Sequence, residues 1–198
     1  DTSFAAAYFP DVNVTDPVTL SNVQCPPSVA VLGAYALNDS VGYTWFAPAG
    51  LNRAVFPSDV TSVQGGPLVV DNLDNLYDAD INPIKDNSSG NICVWGQKTL
   101  LRGASALDRV NVRRLLISIR RRVRDVARRI IFEPNRQETL DKFNAMVAPI
   151  MQSIQERSGV DRYKVVIDAT TTTQADIENN TIRGKIFIQP TRTAEFVA

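Results

Sequence analysis

The chain has 198 residues, 44% of them apolar, which suits one domain with a substantial core. It has no histidine, so the commonest general base and metal ligand is missing, and its 21 basic and 21 acidic residues cancel. Its two cysteines, Cys25 and Cys93, stand apart with no Cys-x-x-Cys pair, which argues against zinc and for small buried hydrophobes in a reducing compartment.

In chain order, FAAAYFPDVNV reads as a strand that ends at Pro10. The segment PPSVAVLGAYALNDSVG starts on Pro-Pro and is small and apolar inside, which predicts a packed helix of about four turns. WFAPAGLNRAVFPSDVTSVQGGP is turn-rich, with one short strand expected near Arg53–Phe56. LVVDNLDNLYDADIN then sets Leu68, Leu73 and Leu76 against Asp71, Asp74, Asp78 and Asp80 at helical spacing, a short acidic helix. In INPIKDNSSGNICVWGQKTLL two apolar runs flank Asp86-Asn87-Ser88-Ser89-Gly90, which is hairpin chemistry.

VNVRRLLISIRRRVRDVARRIIFEPN predicts a long helix. A second helix is expected from about Arg136 to Ser158, with Asn135 and Glu138 at capping-box spacing and Gly159 as its stop. Leu140, Phe143, Val147, Ile150 or Met151, and Ile154 form its apolar stripe, and Pro149 is expected to kink it. RYKVVIDAT and IRGKIFIQP read as strands, TTTQADIENN as a polar turn or short helix, and TAEFVA as a strand cut short. No internal repeat or linker composition divides the chain. No secretory signal and no apolar run of membrane-spanning length occurs, and the start at Asp1 reads as a piece of something longer.

The charges are segregated. Residues 1–98 hold three basic against ten acidic residues, a balance of −7, and residues 99–198 hold eighteen against eleven, a balance of +7. On the arginine helix, Val112, Leu115, Leu116, Ile119, Val123, Val126, Ala127 and Ile130 fall within one arc of about 120°. Arg113, Arg114, Arg120, Arg121, Arg122, Arg124, Arg128 and Arg129 occupy the remainder, with Ile117 among them. Burial of the stripe, at about 1.5–3 kcal/mol per large side chain, holds the helix; the like-charge pairs Arg120–Arg124 and Arg124–Arg128 oppose it by a few tenths each. An exposed helix normally mixes signs, and here only Asp125 interrupts the cations. A solvated face leaves Ile117 unexplained. A nucleic-acid site lacks interleaved aromatics, a surrounding motif and a basic domain. A contact with an acidic protein surface fits both the asymmetry and Ile117, and is favoured.

Catalytic patterns are missing: no P-loop, G-x-S-x-G or dinucleotide fingerprint is present. Asp71, Asp74 and Asp78 lack calcium-loop spacing and read as a plain acidic face. Thr170–Thr173 has no accompanying base, and Glu133 pairs with a nearby arginine or caps backbone.

Several phrases then line up in order: AAAYFP, PPSVAVLGAYALNDSVGYTWFAPAG, INPIKDNSSGNICVWGQKTL, VNVRRLLISIRRRV, IFEPN and IRGKIFIQPTRTAEFV. The set resembles the C-terminal domain of contractile tail sheath proteins, the family of myovirus-type phages and R-type pyocins. The most specific parts are PPS with G-x-Y-A-x-x-D and A-P-A, then V-W-G-x-x-T-L, V-N-V-R-R and F-E-P-N. Lys98 stands where the family usually has Arg, and Gly50 where it usually has Asn.

The resemblance implies a single α/β (α+β) domain over residues 1–198, a mixed sheet carrying two long helices, with an open edge for strands from neighbouring subunits. Outer domains and both terminal arms would lie outside this chain, so the isolated piece is expected to be monomeric. The implied function is structural, with no cofactor, metal or catalytic residue: hexameric rings of sheath around a tail tube, which contract to drive the tube through the host envelope. Implied partners are other sheath subunits, the tube protein, and baseplate and terminator proteins, in a virion tail assembled in the host bacterial cytoplasm, without nucleic acid or membrane. Arg113, Arg114, Ile117, Arg120, Arg121, Arg124 and Arg128 are the expected contact with tube or neighbouring subunit, and Ile186, Ile188, Glu195 and Phe196 the expected site of strand addition. The alternative from another class is a nucleic-acid-binding module that uses the same arginine helix.

Overall fold

The computed structural model describes residues 1–87, 90–168 and 170–195. The class is mixed α/β, as expected, but the strands form three small sheets rather than one. The chain divides into two compact units, residues 1–114 and 115–198.

In the first unit, β1 (Ala7–Phe9) pairs in parallel with β5 (Ile81–Asp86), which pairs antiparallel with β6 (Ile92–Val94). β2 (Val12–Thr15) lies between β3 (Asn22–Cys25) and β4 (Val60–Val63), both antiparallel to it. The opening phrase is therefore two strands, parted at the cis Phe9–Pro10 bond. The strand expected near Arg53–Phe56 reduces to a single bridge, Val55 to Cys93. The hairpin of β5 and β6 is as read, and its turn residues Ser88 and Ser89 lie outside the described residues. Helices α1 (Pro27–Val41) and α2 (Val70–Asp78) match their expected segments. The core of this unit includes Val12, Val31, Ala34, Phe56, Val63, Ile84, Ile92 and Val94, contributed by the strands, by α1 and by the loop at Phe56. Cys93 is fully buried and Cys25 half-buried, and both thiols are free.

The V-W-G-x-x-T-L phrase has a specific geometric cause. Buried Asn82 of β5 donates through Nδ2 to the carbonyls of Ala7 (3.0 Å) and Lys98 (2.8 Å), and its Oδ1 accepts from the Lys98 amide at 2.6 Å. A Cβ at Gly96 would stand 2.8 Å from that Oδ1 and 3.3 Å from the Asn82 Cα. Only glycine leaves room for the amide that ties β1, β5 and the 97–99 segment together.

Helix α3 (Val110–Ala127) begins in the first unit and continues into the second. In the second unit, α4 (Gln137–Glu156) buries Leu140, Phe143, Val147, Met151 and Ile154 and includes Pro149. Its ends differ from expectation. Arg136, not Asn135, is the cap residue and makes no side-chain cap; Asn135 instead donates to the Thr181 carbonyl at 3.2 Å. At the other end Ser158 takes the left-handed conformation (φ 56), and the Gly159 amide reaches back to the Ile154 carbonyl at 2.9 Å. β7 (Val160–Val166) and β8 (Lys185–Pro190) form an antiparallel pair, joined through α5 (Gln174–Glu178). The final segment, expected as a strand, is irregular over residues 191–195.

Candidate protein interface

The first turn of α3 is built into the first unit. Val110, Asn111 and Val112 are buried, and the Val110 amide donates to the Gln97 carbonyl at 2.8 Å. Arg113 and Arg114, expected on the outward cationic face, are a correction. Arg113 is only 7% exposed: its guanidinium lies 3.9 Å over the Phe4 ring, pairs with the Asp1 carboxylate at 3.3 Å and donates to the Ser3 hydroxyl. Arg114 donates through Nη2 to both carboxylate oxygens of Asp39, at 2.8 and 2.6 Å, and stacks 4.7 Å over the Tyr35 ring. Tyr35 in turn shares a hydroxyl–hydroxyl contact with Tyr8. Burial pushes the Tyr8 phenol well above its ordinary range, with Tyr35 adding to the shift. These cations find their carboxylate and ring partners inside the unit, where a planar guanidinium suits both the ring face and the carboxylate.

Beyond that turn the helix is as read. Leu115, Ile119 and Val126 are buried, Leu116, Val123 and Ala127 half-buried, and Arg120, Arg121, Arg124 and Arg128 exposed. Arg128 pairs with Asp125 at 3.4 Å along the same helix. Arg120, Arg121 and Arg124 have no acidic partner among the described residues. Ile117, 48% exposed, sits with them, because positions three, four and seven residues on return to its side of the helix. The result is an uncompensated cationic stripe with an apolar residue at its N-terminal end.

At the expected strand-addition site, β8 bonds among the described residues only to β7, in the register Tyr163–Ile188 and Val165–Ile186. Ile186 and Ile188 are half-buried, while Phe187 on the other face is 56% exposed. Ile186 also lines an apolar cavity of about 150 Å³ with Val123, Ile130, Phe143, Ile167 and Ile182. Glu195 is exposed and outside any strand, and Phe196 lies outside the described residues. Glu133 pairs with Lys142 at 3.2 Å rather than with an arginine.

Two exposed apolar features escaped the sequence reading. Helix α1 leaves Val29, Leu32, Leu37 and Val41 uncovered, and Phe132 projects entirely into solvent. The first was legible: α1 is apolar on every side, which a helix covered on one face alone does not require. The second has no sequence signal, since it depends on the left-handed backbone of Phe132 (φ 74). Among the described residues, no group of three or more cysteine, aspartate or glutamate side chains could hold a metal ion. No helix among the described residues is long and apolar enough to cross a membrane.

No protein-family model matches the chain. It is 31% identical over 172 residues to the tail sheath protein of Vibrio phage KVP40, and 28% identical over 176 residues to that of Enterobacteria phage T4. These alignments cover 84% and 87% of this chain but 25% and 26% of the relatives, so the chain spans about a quarter of their length. Among solved structures it is similar over its whole length to a chain of the PVC extracellular contractile injection system sheath complex in the contracted state. That likeness has a TM-score of 0.82 and 30% identity and covers 55% of that chain. A chain of the anti-feeding prophage helical sheath, also contracted, gives a TM-score of 0.86 at 23% identity, again covering 55% of that chain, and speaks for the fold.

Proposed function

We propose, from the premise that this chain is homologous to phage tail sheath proteins over most of its length, that it is the inner, tube-proximal domain of a contractile sheath subunit. The subunit polymerises as hexameric rings around a tail tube, and the sheath shortens by largely rigid-body movement of its domains to drive the tube through the host envelope. Its partners are other copies of itself, the tube, and the baseplate and terminator proteins that end the sheath. It resides in the contractile tail and is assembled in the host cytoplasm. The role is structural: the free energy of contraction is stored in the assembly, and no cofactor, nucleic acid or membrane takes part.

The observation that carries this reading is the full-length likeness to a sheath chain. Two local features support it. Arg120, Arg121 and Arg124 with Ile117 form an uncompensated face suited to acidic protein surface, on tube or neighbour. The outer edge of β8, unpaired among the described residues, with Ile186 and Ile188, suits an added strand.

The test is charge reversal at Arg121 and Arg124 (Arg121→Glu, Arg124→Glu) in the full-length polypeptide, which should prevent sheath formation on tubes seen by electron microscopy. Normal, contractile sheaths would sink the interface role. Binding of the chain to duplex DNA with a steep salt dependence would favour the nucleic-acid reading instead. The isolated chain should scatter light as a monomer, and a stable hexamer would refute that expectation.

A further inference from the structure

Helix α2 carries the counterpart of the arginine stripe. Its Leu73, Leu76 and Tyr77 are half-buried, while Asp71, Asp74 and Asp78 are exposed. Their spacing of three and four residues puts the aspartates on one face. None of them has a basic partner among the described residues, whereas Asp1, Asp39, Asp80 and Asp108 each face an arginine or lysine. Val70, 70% exposed, stands at the N-terminal end of this face, as Ile117 stands at the N-terminal end of the cationic one.

We propose that the Arg120–Arg121–Arg124 stripe of α3 docks on the Asp71–Asp74–Asp78 face of α2 in a second copy of this chain. This deepens the interface reading above and rests on it. Charges match in number, three against three: in a parallel crossing Ile117 meets Val70 and, four residues on, Arg121 meets Asp74, while Arg124 comes within one residue of the register of Asp78. Each face alone repels itself at three- and four-residue intervals, and docking removes both penalties at once. Because the two faces differ, every copy offers one of each. Used head-to-tail rather than exchanged between two copies, the contact propagates into a ring or helical array, which a sheath requires.

Three variants of the full-length polypeptide test this. The first reverses α2 (Asp71→Arg, Asp74→Arg, Asp78→Arg), the second reverses α3 (Arg120→Glu, Arg121→Glu, Arg124→Glu), and the third carries both sets. Alone, the first two should each raise the critical concentration for polymerisation about tenfold or more, as the loss of a few exposed pairs predicts. The third should polymerise, and so should an equimolar mixture of the first two, whose stripes match only between different copies. Rescue by mixing also shows that both variants fold. Normal polymerisation of the α2 variant overturns the inference; failure of the α3 variant in that case leaves the cationic face serving another acidic surface, such as the tube. Normal polymerisation of both overturns the interface reading as well. Rescue in the doubly reversed chain without rescue in the mixture would place the pairing within one copy and overturn the inference.

Discussion

Arg114 and Asp39 join two helices of the first unit, with both carboxylate oxygens held by one guanidinium nitrogen and the Tyr35 ring beneath the guanidinium plane. The pair explains why G-x-Y-A-x-x-D and V-N-V-R-R occur together: Tyr35, Asp39 and Arg114 are one cluster. Arg114 is 17% exposed in its side chain and Asp39 37%, so screening reduces the pair's worth but does not erase it. Arg114→Ala should cost about 1–2 kcal/mol of unfolding free energy in urea. Arg114→Lys should recover less than half of the loss, because a compact ammonium lacks the planar face that lies on the Tyr35 ring. Arg124→Ala, which removes an unpaired exposed cation, should stay within about 0.5 kcal/mol. Equal losses at Arg114 and Arg124 would contradict the division of α3 into an internal turn and an external stripe.

Gly96 and Asn82 make a sharper demand. Gly96→Ala drives a methyl to 2.8 Å from the Asn82 Oδ1 and leaves no flexible side-chain end to yield, since the Asn82 Cα is also at 3.3 Å. The Lys98 amide then loses its 2.6 Å bond. A loss of about 2–4 kcal/mol is expected, similar to Asn82→Ala, which strands the same buried backbone groups. Since both changes break one set of bonds, the double variant should cost little more than either alone. Additive losses in chemical unfolding would show that the glycine serves something else.

Strong periodicity made α3 and α4 legible, because each buries a face that its own sequence spells out, and the turn residues between two apolar runs made β5–β6 legible. What sequence could not supply was pairing at a distance. Arg113 meets Asp1 across 112 residues and Arg114 meets Asp39 across 75, so a helical wheel puts both outside when tertiary partners hold them inside. β4 is hard to read for a related reason: Val60–Val63 has β-branched residues but only four positions between turn-rich flanks, and it is fixed as a strand by pairing with β2. Helix ends were the other weak point. Asn135 has cap chemistry, but its side chain is taken by the Thr181 carbonyl, a contact no local rule contains.

Phe132 yields a prediction opposite to the usual rule for large apolar residues. Its ring is fully exposed and its backbone is left-handed, so it contributes no packing and carries a conformational cost. Phe132→Asn should raise the stability of the isolated chain by about 0.5–1 kcal/mol, since asparagine tolerates this region. Thermal unfolding of the two proteins side by side decides the matter. A loss beyond about 1 kcal/mol would mean that the ring packs against the chain in solution.

The capping box of α5 sets an acid limit. Asp176 accepts from the Thr173 hydroxyl at 2.7 Å, from the Thr173 amide at 3.0 Å and from Arg183 Nε at 2.7 Å. The bonds from Thr173, with Arg183 adding to them, hold its carboxyl below the ordinary aspartate value of 3.8. A folded value below the unfolded one favours the native state wherever the unfolded carboxylate is ionised, so the contribution is complete above about pH 5. It is lost as pH falls from about 4 through the lower folded value. Asp168, depressed by its bonds from Thr170, adds to the same window. Asp176→Asn should therefore be less stable than the parent by a constant amount from pH 6 to 8, and the gap should narrow below about pH 4 as the parent protonates. A gap that keeps its full size at pH 3 would assign the role of Asp176 to shape rather than charge.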